Sequence, residues 1–192
     1  MLRKIIIATT ILTLFLGIMT PIGYGQTESS ILTKVQVEKL ARERLNIKED
    51  YKLQYSDLYI RDIQQKQFWN LDFEGENKHI SVTMAADTGE IISINRWDNK
   101  SYGGVVTLLQ DEAKKIAIDF IESLEKEKFK ETEEVTVKAP TFIPYYLYND
   151  EQGSDNYYFM FVRKLKEEFF PINYFVVNVS GVNGGVVSYE MQ

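Results

Sequence analysis

The spacing of apolar residues switches from helical to alternating twice along this chain. After a polar stretch, Gln26 to Ser30, Thr33-x-x-Gln36 fits a capping box, in which each side chain serves the other residue's backbone N–H. Val37, Leu40, Ala41 and Leu45 then recur at helical spacing with Glu38, Lys39, Arg42 and Glu43 between them, and Asn46 is a fitting stop. Tyr51 to Ile60 mixes aromatic and β-branched residues and reads as a strand. Trp69, Leu71 and Phe73 alternate with Asn70, Asp72 and Glu74, the period of a half-buried strand. Gly75-Glu76-Asn77-Lys78 reads as a turn, and Ile80, Val82 and Met84 alternate again. Asp87-Thr88-Gly89-Glu90 is a tight connection into Ile91-Ile92-Ser93-Ile94, with glycine where positive φ is expected.

The polar stretch Asp98 to Gly104 separates this block from a second one. Thr107-x-x-Gln110 suggests another cap, and Ala113, Ile116, Ala117, Phe120 and Leu124 mark a longer amphipathic helix reaching Lys128. Strand-like runs follow at Val135 to Val137, Thr141 to Tyr148, Tyr157 to Val162 and Tyr174 to Val179. The chain closes on Asn183-Gly184-Gly185 and Val186-Val187-Ser188-Tyr189.

The blocks read as copies. His79 to Ser93 lines up without a gap on Tyr174 to Ser188, at an offset of 95 residues, so that Gly89 falls on Gly184. Leu40-Ala41 matches Ile116-Ala117 at an offset of 76. The expected fold is α+β: two tandem modules, each a helix packed on its own antiparallel sheet, with the border near Gly104. Residues 26–104 form the first and 105–192 the second.

A helix followed by antiparallel strands that end in Asp87-Thr88-Gly89-Glu90-Ile91 resembles a PepSY-type module. The second block resembles the YcdB/YcdC repeated domain through Tyr158 to Arg163, Phe170-Pro171, Tyr174 to Val179 and Gly184 to Tyr189. The likeness runs from Thr33 to the C-terminus. It departs at Lys166-Glu167, where an Asn-Gly turn is usual, and at Val182, which stands where the first block has Asp87. The resemblance implies a surface or secreted protein of Gram-positive type. PepSY-like modules also occur in propeptides of thermolysin-like peptidases, which implies inhibition or folding assistance. It brings no catalytic residues and no cofactor.

Compartment follows from the N-terminus. Arg3-Lys4, the apolar Ile5 to Met19, Pro21 and the small residues around Gly23-Tyr24-Gly25 have the layout of a secretory signal peptide over residues 1–25. The apolar stretch is short for a membrane anchor, which needs about 20 residues. The formal charge is -6, and Arg3 and Lys4 lie in the leader, so the remainder is more acidic still. Such a chain disfavours nucleic acid and anionic membrane surfaces as partners. With no cysteine, disulfides, thiolate nucleophiles and Cys-ligated zinc are excluded.

Little in the sequence promises chemistry. His79 is the only histidine and falls on the polar face of its strand, with neither an HExxH pattern nor other histidines beside it. Asp72 with Glu74, Glu133 with Glu134 and Asp150 with Glu151 read as solvated acids. No metal, cofactor or catalytic set is expected. One run is less bland: 12 of the 34 residues from Phe142 to Phe175 are Tyr or Phe, and Tyr157 to Val162 is apolar on both faces. Either this sheet packs against the first module, or Tyr157, Phe159 and Phe161 form a surface for a protein, peptide or glycan partner. The functional expectation is a secreted or cell-surface non-catalytic binding module. Its partner would be an extracellular or envelope protein, including a peptidase that it modulates or inhibits. The alternative is a self-associating or wall-attached scaffold.

Overall fold

The computed structural model describes residues 31–60, 65–98, 103–135, 155–165 and 168–192. The expected signal segment, residues 1–25, and the expected strand Thr141 to Tyr148 lie outside the described residues. Thr33 caps the first helix, α1 (Lys34–Leu45): its backbone N–H donates to Gln36 Oε1 at 2.8 Å, and its hydroxyl accepts from Gln36 N at 3.4 Å. Asn46 ends the helix at φ 51°. Val37, Ala41 and Leu45 are buried. Four strands follow: β1 (Lys52–Ile60), β2 (Gln67–Gly75), β3 (Lys78–Ala85) and β4 (Ile91–Asp98). Their alternation puts Leu71, Phe73, Ile80, Val82 and Met84 under the helix.

The second half repeats the plan with α2 (Gln110–Phe129), β5 (Thr132–Glu134), β6 (Asn156–Leu165), β7 (Glu168–Ser180) and β8 (Val186–Met191). Its cap differs from the expected Thr107–Gln110 pair. Thr107 and Leu108 both donate their N–H to Gly181 O, at 3.0 and 3.1 Å, and are tied to the sheet. The helix starts after them, with Leu109 at the N-cap and its N–H donating to Glu112 Oε2 at 3.0 Å. Leucine offers no oxygen in return, so half of the capping box is missing.

The two halves do not build separate sheets. Among the described residues there is one antiparallel eight-stranded sheet in the order β1-β2-β3-β4-β8-β7-β6-β5. The last strand of each half meets the other at the centre, through Ser93↔Glu190, Ile94↔Tyr189 and Asn95↔Ser188. Both helices contribute to one apolar core against the same face. The opposite face is polar in the first half, with Asn70, Asp72, Ser81 and Thr83, and apolar in the second, where Met160, Val162, Tyr174 and Val176 are buried. One outer edge is the nine-residue β1, with Tyr55, Leu58 and Ile60 exposed; the other is the three-residue β5.

Matching contacts recur in the halves. Leu32 N–H donates to Ala86 O at 2.7 Å, and Leu108 N–H to Gly181 O at 3.1 Å. Gly89 N–H reaches Ala85 O, and Gly184 N–H reaches Ser180 O, both at 2.9 Å. Trp69 Nε1 donates to Leu32 O at 2.9 Å, where Tyr157 Oη donates to Leu108 O at 2.8 Å.

Candidate functional site

Of the aromatic run, the described residues Phe159 and Phe161 do not form a surface. Phe159 and Phe161 are 4% and 3% exposed and point into the helix-covered core, where Phe161 meets Phe129 edge-on with ring centroids 5.0 Å apart. Tyr157 is half-buried, with its hydroxyl held by Leu108 O. The expected exposure is therefore corrected for Phe159 and Phe161, while Tyr157 keeps part of its surface. β6 is apolar on both faces because both are covered: Phe159 and Phe161 pack with α2 of their own half, and Met160 and Val162 join the second cluster.

The polar groups singled out in the sequence stay dispersed. His79 Nε2 lies 3.6 Å from Asp72 Oδ1 on the polar face, with both side chains partly exposed. Glu133 pairs with Lys164 and Glu134 with Lys114. Among the described residues no three His, Cys, Asp or Glu side chains converge in a way that could hold a metal ion.

The structure assembles a different feature at the central seam. β4 and β8 pair only over three positions. Beyond Ser93 the pairing of β4 with β8 ends, while β8 stays joined to β7: Met191 pairs with Phe175, and Gln192 exchanges backbone hydrogen bonds with Tyr174 at 3.2 and 3.0 Å. A shallow, half-open cleft of about 870 Å³ lies there. Phe68, Ile92, Phe175 and Met191 supply its apolar lining, and Lys66, Asp87, Glu90, Lys128 and Arg163 are among its charged groups.

Arg44, from the last turn of α1, braces this end of the seam. Its Nη1 donates to Gly89 O at 3.1 Å, and its Nη2 donates to Leu124 O at 2.7 Å and to Glu125 Oε1 at 3.1 Å. α2 is kinked at that point, with Glu125 at φ -141°, ψ 48°. Lys128 pairs with Glu90 next to it. Burial, then the Glu90 carboxylate, push the Glu125 carboxyl above the ordinary glutamate range, against the opposing pull of Arg44 and Lys128. Tyr189, from β8, is buried beside them with no partner for its hydroxyl among the described residues; burial first, then Glu125 and Glu90, raise its pKa. Sequence patterns gave no hint of this group. Arg44 and Glu125 are 81 positions apart, and each looks locally like one more charge on a solvated helix face.

No described helix is long and apolar enough to cross a membrane. The family described as "YcdB, YcdC repeated domain" matches residues 34–192. Among solved structures, the YpeB C-terminal domain of Bacillus megaterium is similar with a TM-score of 0.60 at 12% identity, over 84% of this chain. The chain spans 63% of the length of that domain. At that identity the likeness is one of fold. A provisionally assigned lipoprotein from Clostridium difficile 630 matches over 84% of this chain and 93% of its own, at 13% identity and a TM-score of 0.29. No curated protein matches.

Proposed function

The chain belongs to the YcdB/YcdC repeated-domain family, and from that premise we propose a secreted, non-catalytic binding protein made of two tandem PepSY-like modules, residues 26–104 and 105–192. The recurring contacts around Leu32 and Leu108 and around Gly89 and Gly184 support the tandem reading. The modules share one sheet and place their last strands side by side. The leader-like residues 1–25 support export, and mapping the N-terminus of the exported chain tests it: a chain that still begins at Met1 refutes cleavage.

The observation that carries the binding reading is the seam cleft, with apolar side chains lining it and charged groups around them. Such a site suits a segment of another protein better than it suits catalysis, which needs several groups aimed at one point. The proposed partner is an extracellular or envelope protein, and a peptidase, inhibited or modulated in trans, is the foremost candidate. Retention of secreted and wall-bound proteins on the immobilised mature chain tests this, with Ile92→Lys as the cleft variant. The expected result is a retained peptidase or envelope protein that the folded variant no longer holds. Equal retention by both, or none by either, overturns the cleft reading.

The self-associating scaffold remains the second reading because of the open β1 edge, where Tyr55 and Ile60 are 52% and 57% exposed. Mass in solution separates the two: a monomer that retains partners excludes the scaffold.

A further inference from the structure

We propose that Arg44, Glu90, Glu125 and Lys128 form a proton-operated latch that holds one wall of the seam cleft in place and releases it on acidification. The consequence for binding rests on the cleft reading above; the latch itself is a property of the free protein.

The four charges are strung between elements of both halves. Arg44 comes from α1, Glu90 from the turn between β3 and β4, and Glu125 and Lys128 from α2; Tyr189 from β8 lies beneath them. The arrangement is cation, carboxylate, carboxylate, cation. Arg44 holds Glu125 at 3.1 Å, and Lys128 holds Glu90. The side chains of Glu125 and Glu90 are only 13% and 23% exposed, so water screens their mutual repulsion poorly. Arg44 also fastens the carbonyls of Gly89 and Leu124, the first at the β3–β4 turn and the second at the α2 kink. The latch therefore bridges two backbone features that no local sequence rule would bring together. Glu90 and Lys128 are themselves cleft-lining residues.

A proton on Glu125 changes the pairing. Its carboxyl then donates a hydrogen bond to the Glu90 carboxylate, replacing repulsion with attraction, as in other paired carboxyls. Arg44 loses a charge-assisted bond, and Glu90, drawn toward Glu125, loosens from Lys128. The wall formed by Glu90 and Lys128 is released.

The sign is set by the direction of the shift. Burial and Glu90 raise the Glu125 pKa, so the folded chain binds this proton more tightly than the unfolded chain does. The group's contribution to stability is fully present below the unfolded pKa and is lost as pH rises through the folded one. Acidification therefore switches the latch while this group favours the fold.

Carboxyl-detected NMR of the isotope-labelled mature chain tests the latch without any partner, between about pH 7 and pH 4. Glu125 should titrate above glutamates of the same chain unfolded in urea. The amides of Gly89 and Lys128 and the methyl signals of Ile92 should move with the same midpoint. Glu90→Gln should lower the Glu125 midpoint, and Glu125→Gln should abolish the linked shifts. A Glu125 midpoint at or below the unfolded value overturns the latch. So do linked shifts that persist in Glu125→Gln, and if that variant does not fold, an unchanged midpoint in Glu90→Gln does the same. A failed titration leaves the cleft reading standing, and equal retention by Ile92→Lys leaves the titration standing.

Discussion

Gly89 and Gly184 stand 95 positions apart and have the same left-handed backbone, φ 71° and 72°. Each lies against the matching residue of its helix: a Cβ on Gly89 would come 2.8 Å from Leu40 Cδ1, and one on Gly184 would come 3.3 Å from Ile116 Cδ1. Valine at either position meets both the conformational penalty and the helix. Gly89→Val should cost about 1–3 kcal/mol from backbone strain alone, with the contact added. Gly184→Val should cost less than Gly89→Val because its neighbour is farther away. Thermal melts of the two variants give the order, and parental melting of Gly89→Val would refute the turn.

The helix caps are unequal. Thr33 has its oxygen and Leu109 has none, although the carboxylate of Glu112 already serves the Leu109 N–H. Thr33→Ala should destabilise by about 0.5–2 kcal/mol, whereas Leu109→Ser should stabilise by up to about 1 kcal/mol by supplying the missing acceptor. Leu109 is 68% exposed, so little packing is lost in the exchange. Urea denaturation of both variants checks the opposite signs.

Trp69 and Tyr157 perform one task with different chemistry, each donating to the carbonyl of the leucine before a helix. Tyr157→Phe removes the donor and keeps the ring. It should cost about 0.5–1.5 kcal/mol in chemical denaturation. An unaltered midpoint would show that water replaces the bond without loss.

Phe161→Ala should cost about 3–5 kcal/mol, the range for deleting a buried aromatic ring. The change would unfold or nearly unfold the chain, given the narrow margin of most domains. Circular dichroism at rising temperature reads this directly. A mild effect would mean that the site collapses around the missing ring.

Local signals were legible where a residue's role depends on its near neighbours. Thr33 and Gln36 cap within one turn, Asn46 and Gly89 answer to φ, and Ile80, Val82 and Met84 follow a two-residue period. What sequence patterns missed is nonlocal. The pairing of Ile94 with Tyr189 joins the halves into one sheet, yet either strand alone would fit an edge. The Thr107 hydroxyl made a plausible cap until Gly181 O claimed the backbone N–H groups around it. Phe159 and Phe161 looked available for a partner because apolar residues on both faces of a strand say that it is covered, without saying by what. The Arg44 cluster was invisible for the same reason, since its members come from four separate elements.

The unequal edges give the sheet a direction of growth. β1 offers nine residues with two charges, Lys52 and Asp57, whereas β5 offers three, of which two are Glu133 and Glu134. Among the described residues, a strand from outside can extend the ladder along the full length of β1, while at β5 it meets two glutamates already paired with lysines and only three residues to pair with. Of the described strands, two chains joined through β1 would present only the short β5 edges outward. Addition would then stop at a pair, and fibres built by edge-to-edge stacking would have no second end from which to continue.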